Sequence, residues 1–355
     1  MPTRCERLIE LLKAAELEAC WIVGPENIRY LSGYTGEGSL LLADGERYIL
    51  TDSRFTEQAE RECDGFAVLR TSLTDRPVEL VLAKLTQLGI RAIGFEPDAM
   101  TYSDYQETKA KLLSIELRAM ERPVEKLRRV KDEGEIERIH RAADIACRAF
   151  EQMLSIIKPG MTERDIQQQL EYSMLRLGSE IVAFPTIACA GPNGSLPHAT
   201  PSDRPIMKGE LLTLDFGAQV EGYKCDMTRT LGIGKISDAQ RDIYETVYQA
   251  QNAAYELIKP GVSGVEVDRA ARDLIDAKYP GAFGHSLGHG VGLNIHETPN
   301  FSMRSTDTLE AGHVMTVEPG IYIPGFGGCR IEDMAIITPN GYSNPITATR
   351  ELISL

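Results

Sequence analysis

The sequence predicts an α/β amino-terminal domain over residues 1–120 and an α+β domain over residues 132–355, joined by a linker at 121–131. Three observations carry that reading. Short apolar runs alternate with helix-length segments as far as residue 119. A charged stretch with a proline follows, from Glu121-Arg122-Pro123 through Val130-Lys131. Beyond it a long helical periodicity gives way to paired strand-length runs bounded by Gly and Pro. A chain of 355 residues is long enough for two separate cores.

Taken in order, residues 4–18 have the spacing of an amphipathic helix, and Cys20-Trp21-Ile22-Val23 is the first strand-like run. Runs at 39–42 and 48–51 are joined by Ala43-Asp44-Gly45-Glu46, whose Asp-Gly pair is a hairpin signal. The pattern continues as helix 54–63, strand 66–70, helix 77–88, strand 91–95, helix 102–113 and strand 115–119. After the linker, Ile136, Ile139, Ala143, Cys147, Phe150 and Leu154 recur at helical spacing and open the second domain.

Two later segments read as hairpins. The apolar run 211–216 and the run from Asp226 through Thr230 flank Val220-Glu221-Gly222, a tight turn. A turn at Val220-Glu221 sets Asp215 opposite Asp226. A turn at Glu221-Gly222 sets Gly217 there and leaves Asp215 a diagonal neighbour on the same face. Either register aims both carboxylates at one point, and only a bulge would part them. Farther on, 314–317 leads into Glu318-Pro319-Gly320, then 321–323, a Pro/Gly-rich turn, and Arg330-Ile331-Glu332-Asp333-Met334. In a continuous strand Arg330 and Glu332 share a face.

These two segments and the glycine-rich stretch between them carry five residues of metal-ligating type: Asp215, Asp226, His289, Glu318 and Glu332. Gathered together they hold about four negative charges, too many to bury unneutralised. Two divalent cations would balance them, and a water shared between the two would ionise near neutral pH. Alone, Glu318 reads as a turn residue and Glu332 or Asp333 as an edge charge; five in this order point to a dinuclear metallohydrolase. His285 and His289 stand four apart, but the intervening residues lack the glutamate of a zinc helix and are bracketed by glycines, so no helix is expected there. His198 ends the Gly/Pro-rich loop 191–198, where a lone histidine is ordinarily a surface residue. His140 is expected on a helix surface and His313 at the start of a strand.

Composition excludes other classes. A net charge of −14 without a basic stripe argues against nucleic-acid binding. No apolar run spans a bilayer, and the opening Met1-Pro2-Thr3-Arg4-Cys5-Glu6 lacks the apolar stretch of a secretory leader. Seven cysteines, an odd number with no CxxC pair, read as reduced thiols in the cytoplasm. Cys225 and Cys329, which flank site residues, read as buried packing thiols.

On the order Asp, Asp, His, Glu, Glu with GHGVG, EPG and RIED, the chain resembles the pita-bread metallopeptidases over roughly residues 125–350. These comprise prolidases (Xaa-Pro dipeptidases), Xaa-Pro aminopeptidases and methionine aminopeptidases. The resemblance implies that Asp215 chelates one metal, His289 with Glu318 the other, and that Asp226 and Glu332 bridge both. It implies Glu318 as proton shuttle, His198 and His296 as donors to the oxyanion or substrate carbonyls, and His285, Arg330 and Tyr223 on the substrate side. Each of the last two has a plainer reading, Arg330 as a salt bridge to Asp333 or Glu332 and Tyr223 as a packed aromatic. A mostly carboxylate ligand set favours manganese or cobalt, with zinc as a further option. The amino-terminal domain points to the proline-directed branch: methionine aminopeptidases usually lack one so large, and creatinase, which carries it, works without metal. Pro185 departs from relatives that often carry an acidic residue there, which bears on the substrate-side wall.

The expected activity is hydrolysis of the Xaa-Pro bond at the amino terminus of peptides, with a strict Xaa-Pro dipeptidase as the alternative. A dipeptidase needs a fixed cation for the proline carboxylate, and Arg330 stands two residues from Glu332, within reach of site carboxylates. A weaker alternative is a catalytically silent pita-bread binding protein, although such chains have generally lost ligands that this one keeps. The expected partners are proline-containing peptides and a second copy of the chain, with no nucleic acid and no membrane. In such homodimers the amino-terminal domain of one subunit borders the other's active site. The loop Tyr34-Thr35-Gly36-Glu37-Gly38 reads as a mobile lid or as a plain surface loop.

Overall fold

The computed structural model describes residues 2–355, which divide into two compact units, one ending at Arg128 and the other beginning at Arg129. The first unit runs α1 (Arg4–Ala14), β1 (Ala19–Ile22), α2 (Pro25–Ser32), β2 (Ser39–Ala43), β3 (Glu46–Thr51), α3 (Thr56–Glu62), β4 (Ala67–Arg70), α4 (Pro77–Leu88), β5 (Ala92–Phe95), α5 (Tyr102–Lys111), β6 (Glu116–Ala119) and α6 (Pro123–Arg128). Its six strands form one sheet in the order β4-β3-β2-β1-β5-β6. Only β2 runs against its neighbours; the other pairs are parallel. The β2–β3 turn uses Asp44 and Gly45 at φ of 48° and 81°, the left-handed pair that a two-residue hairpin demands. Trp21, Leu41, Leu50, Val81, Leu85 and Ile93 make the core on one face of the sheet.

Two details depart from the sequence reading. Helix α2 was not anticipated, although Pro25 in its first turn and Gly33 at its end, at φ 79°, are start and stop signals. The stretch 121–131 is not an open linker: α6 occupies its middle, with Val124, Leu127 and Arg128 buried. Pro123 opens that helix, where its missing N–H has no partner to lose. In the loop 34–38, Thr35, Glu37 and Gly38 are exposed, as the surface-loop reading expects, while Tyr34 is buried with its hydroxyl 3.0 Å from the Glu37 carbonyl and 3.1 Å from Thr51 Oγ1.

The second unit opens on α7 (Glu133–Ile156) and α8 (Glu163–Arg176), followed by β7 (Ile187–Ala190), β8 (Glu210–Phe216), β9 (Gln219–Val220), β10 (Tyr223–Lys224) and β11 (Met227–Ile233). Helices α9 (Asp238–Tyr255) and α10 (Gly264–Asp276) come next. The chain ends in β12 (Gly288–Gly290), β13 (Glu297–Phe301), β14 (Val314–Val317), β15 (Gly320–Ile323), β16 (Gly327–Arg330), β17 (Asp333–Thr338) and β18 (Gly341–Ser343). All four helices start on a capping box, from Asp132, Thr162, Ser237 and Ser263. One sheet has the order β11-β8-β7 and another β13-β12-β14-β17-β18. Tyr244, Val247, Ala271, Phe301, Met315 and Ile331 belong to the core between α9, α10 and the second sheet. His140 is exposed on α7, and His313 is buried just before β14.

Two features fix the strands that carry site residues. The β9–β10 turn is Glu221-Gly222, at φ 47° and 81°, and the ladder keeps one register from Tyr223 opposite Val220 to Thr228 opposite Asp215. Asp226 therefore lies across from Gly217, the second of the two registers considered above, with no bulge. Residues 330–334 are not one strand: β16 ends at Arg330 and β17, in a different sheet, begins at Asp333. Ile331-Glu332 crosses between them and bonds to β11, Glu332 N–H to the Thr228 carbonyl at 3.1 Å and Thr228 N–H back at 3.4 Å. Buried Arg229 braces that crossing. It donates to the carbonyls of Thr228, Glu332, Ala348 and Thr349 and to Asp333 Oδ1, which offsets the cost of burying its charge. All seven cysteines are free and buried. Among the described residues no helix is long and apolar enough to cross a membrane.

Candidate metal centre

Asp215, Asp226, His289, Glu318 and Glu332 line one cavity of about 510 Å³ in the second unit. Asp226, His289 and Glu332 each bring a ligand atom within 4.8 Å of the other two. His289 Nε2 stands 3.2 Å from Glu318 Oε1 and 3.7 Å from Asp226 Oδ2. Its Nδ1 meets the Gly290 carbonyl at 3.1 Å, which calls for a proton on that nitrogen and turns Nε2 toward the carboxylates.

The electrostatics are those of a site short of positive charge. Burial, and then the charge of Asp215, hold the Asp226 carboxyl well above its ordinary range. Burial and the charge of Asp226 do the same to Glu332. Asp215 is raised by burial although the Arg330 guanidinium works against the rise. Burial opposes a charged His289, yet its bond to Glu318 and the nearby carboxylates outweigh that and lift it to about 9. Burial likewise opposes a charged Glu318, whose bond to His289 overcomes it and takes it down to about 2. Asp215 Oδ1 is buried without a partner. An orphaned acceptor, an outward Nε2 and two carboxyls raised by burial and by neighbouring carboxylates fit divalent cations, hard ions that take oxygen and imidazole ligands.

Neighbouring side chains hold these groups in place. Arg330 Nη2 donates to Asp215 Oδ2 at 2.6 Å, Nη1 to the Tyr322 hydroxyl at 2.6 Å and to the Pro197 carbonyl at 3.3 Å, and Nε to Thr228 Oγ1 at 3.1 Å. The plainer of the two readings of Arg330 was a salt bridge to Asp333 or Glu332; its carboxylate partner is Asp215. Thr228 Oγ1 donates to Glu332 Oε2 at 2.6 Å, and Thr316 Oγ1 donates to Glu318 Oε1 at 3.1 Å while accepting the His289 N–H. Thr228, Thr316 and Tyr322 were missed by the sequence reading. The two threonines stand two residues from Asp226 and Glu318, the same-face spacing of a strand, and that signal was available.

Among the histidines, His198, His285, His289 and His296 all line the cavity. The His296 ring stands edge-on to His289 at 4.4 Å, and burial with the His289 charge lowers its affinity for a proton. His285 turns Nδ1 to the Ser286 carbonyl at 2.8 Å, so Nε2 accepts from the Tyr322 hydroxyl at 3.0 Å. No helix forms at 285–289. Pro185 is also part of the wall. Tyr223 is the exception. It lies outside this wall, buried, with its hydroxyl donating to Glu135 Oε1 at 2.9 Å, because the β9–β10 turn carries it toward α7.

Comparison with known proteins agrees with this geometry. Residues 137–339 match the model of metallopeptidase family M24, and residues 4–130 match the creatinase/prolidase N-terminal domain. The chain is 40% identical over 354 residues to an uncharacterized peptidase, YqhT, of Bacillus subtilis, covering 99% of this chain and 100% of that one. The structure of an Xaa-Pro dipeptidase from Bacillus anthracis superposes with a TM-score of 0.96 at 38% identity, covering 99% of each chain. That of an X-Pro aminopeptidase from Thermotoga maritima MSB8 gives 0.91 at 35%, covering 98% of this chain and 100% of that one. With its pita-bread second unit behind a creatinase/prolidase amino-terminal domain, the chain belongs to metallopeptidase family M24.

Proposed function

We propose that this chain is a dinuclear-metal Xaa-Pro aminopeptidase, which cleaves the bond before proline at the amino terminus of peptides. Asp215, Asp226, His289, Glu318 and Glu332 would hold two divalent cations, manganese or cobalt by the carboxylate-rich donor set, with Asp226 and Glu332 shared between them. Bound there, the cations supply Lewis-acid polarisation of the scissile carbonyl and acidify water. Glu318 borders the reacting position and carries a proton from water to the leaving nitrogen. His296 and His198 donate to the carbonyl oxygen as it gains charge. His285, held by Tyr322, forms the proline side of the wall. A tertiary amide offers no N–H, so a shaped wall takes the place of a hydrogen bond to the scissile nitrogen.

One observation favours the aminopeptidase reading over the dipeptidase. Among the described residues Arg330 is the only Lys or Arg on the cavity wall, and each of its three nitrogens already has a partner, in Thr228, Tyr322 with Pro197, and Asp215. A strict dipeptidase needs a cation free to receive the proline carboxylate. The dipeptidase reading is kept as the second one, because the Bacillus anthracis relative bears that description at a TM-score of 0.96. Hydrolysis of Ala-Pro and Ala-Pro-Ala with added manganese separates them. Cleavage of the tripeptide at a rate comparable to or above the dipeptide is expected; cleavage of Ala-Pro with Ala-Pro-Ala left intact establishes the dipeptidase.

A further inference from the structure

Lys131 falls between the two family matches, which end at residue 130 and resume at 137. Its side chain is 1% exposed, an unusual place for an ammonium. The ammonium meets Glu297 Oε2 at 3.1 Å, itself 8% exposed, and the Lys131 N–H is fixed to the Gly312 carbonyl at 2.9 Å. The other oxygen of Glu297 accepts the Asn294 N–H at 2.9 Å. Within the same turn Gly292 N–H bonds the Asn294 carbonyl, and a Cβ on Gly292 would lie 2.8 Å from the Glu297 carboxylate. Glu297 is therefore seated inside the 290–297 turn, and His296, the residue before it, rests edge-on against His289 at 4.4 Å.

We infer that Lys131 is a positioning residue for the active site: through its buried pair with Glu297 it sets the 290–297 turn and with it the place of His296 over the substrate carbonyl. A buried carboxylate accepting from both an ammonium and the turn's own backbone can adopt few other positions. Without the ammonium, Glu297 Oε2 would lose the cation that meets it at 3.1 Å inside the turn, and the carboxylate would turn toward water, pulling the residue beside it. Misplacing a catalytic group by about 1 Å costs on the order of 100-fold in rate, so a partial shift of His296 would cost about tenfold.

The kinetic arm of the test rests on the Xaa-Pro peptidase reading; a second arm does not. In the first, kcat and KM are measured for wild type, Lys131→Met, His296→Ala and the double variant. Lys131→Met is expected to lower kcat about tenfold with KM held within about twofold, and to add less than about twofold in the His296→Ala background. Losses that multiply in the double variant, or an unchanged kcat in Lys131→Met, overturn the inference. In the second arm, hydrogen exchange should quicken across 291–297 in Lys131→Met while β14 and β17 keep their protection. Unchanged exchange in that turn overturns the inference whatever the substrate proves to be. Glu297→Gln, which keeps an acceptor for Asn294 but drops the charge, enters the same measurements if Lys131→Met does not fold.

Discussion

The site is built residue by residue from acids that water would stabilise better than the protein interior does. Asp226 and Glu332 are 5% and 1% exposed; burial raises both, and after it the charge of Asp215 raises Asp226 and the charge of Asp226 raises Glu332. Replacing Asp226 with Asn removes one of those charges and one of the proposed metal ligands without removing volume. It should abolish binding of the second metal and lower activity by more than the roughly 10–100-fold that losing a supporting contact costs. The melting temperature of the metal-free variant should not fall, since the lost carboxylate was held at the expense of its neighbours. Metal content by elemental analysis and a thermal melt check both parts. Thr228 gives a milder case. Its hydroxyl donates to Glu332 at 2.6 Å and accepts from Arg330 Nε at 3.1 Å. Thr228→Val keeps the shape and removes both bonds, so metal affinity should fall roughly 10–100-fold while secondary structure is kept. A metal titration reads that directly.

The elements that aim these residues were unevenly legible. The β8–β11 ribbon was readable because strand alternation is strict and Glu221-Gly222 is a turn pair, so both possible registers put Asp215 and Asp226 on one face. Choosing between the registers needed Gly217, where a Cβ would collide with the Cys225 carbonyl oxygen. Gly217→Ala should therefore part the strands next to Asp226. An unfolding titration should show a loss of about 1–3 kcal/mol or more, accompanied by weaker metal binding. The 330–334 segment read as a single strand because its pattern alternates, yet it passes between two sheets. What holds it there is Arg229, three of whose five acceptors, on Glu332, Ala348 and Thr349, are carbonyl groups far along the chain and invisible to local pattern. Helix α2 was lost for a different reason: eight residues give too few turns to establish a period. Tyr223 was placed on the substrate side by the family resemblance, whereas the ribbon directs its hydroxyl to Glu135 on α7 and buries the ring, as the plainer reading of a packed aromatic has it. The loop before β14 carries a pH-dependent element. Burial takes His313 from 6.5 down to about 4. The unfolded chain binds that proton below pH 6.5 and the folded one only near 4, so stability is present above 6.5 and is lost as pH falls through this window. The loss should approach roughly 3 kcal/mol. His313→Asn, which keeps an acceptor for the Glu310 N–H at 3.2 Å, should lose less stability than wild type between pH 6.5 and 4 in urea titrations.

At the scale of the whole molecule, the two matched families account for most of the chain, and the second unit holds the entire candidate site. That five metal-ligating side chains in fixed order would gather at one cavity was legible because each sits in a short frame beside glycine or near a strand end, where local sequence governs geometry. Of the supporting residues, Thr316 stands two from Glu318 and was within reach of local pattern, whereas Tyr322 and Lys131 act on His285 and Glu297, distant in the chain. The proposed homodimer makes a further prediction: light scattering at micromolar concentration should give about twice the mass of 39.2 kDa, and a monomer alone would count against it. The central claim is that Asp215, Asp226, His289, Glu318 and Glu332 hold two cations that make the chain a peptidase. It is tested most directly by titrating manganese into metal-stripped protein while following both binding and hydrolysis of Ala-Pro-Ala. The account predicts that two ions bind per chain in wild type, that hydrolysis rises with their occupancy, and that Asp226→Asn loses both. Full hydrolysis by the stripped protein, or hydrolysis unchanged in Asp226→Asn, would contradict it.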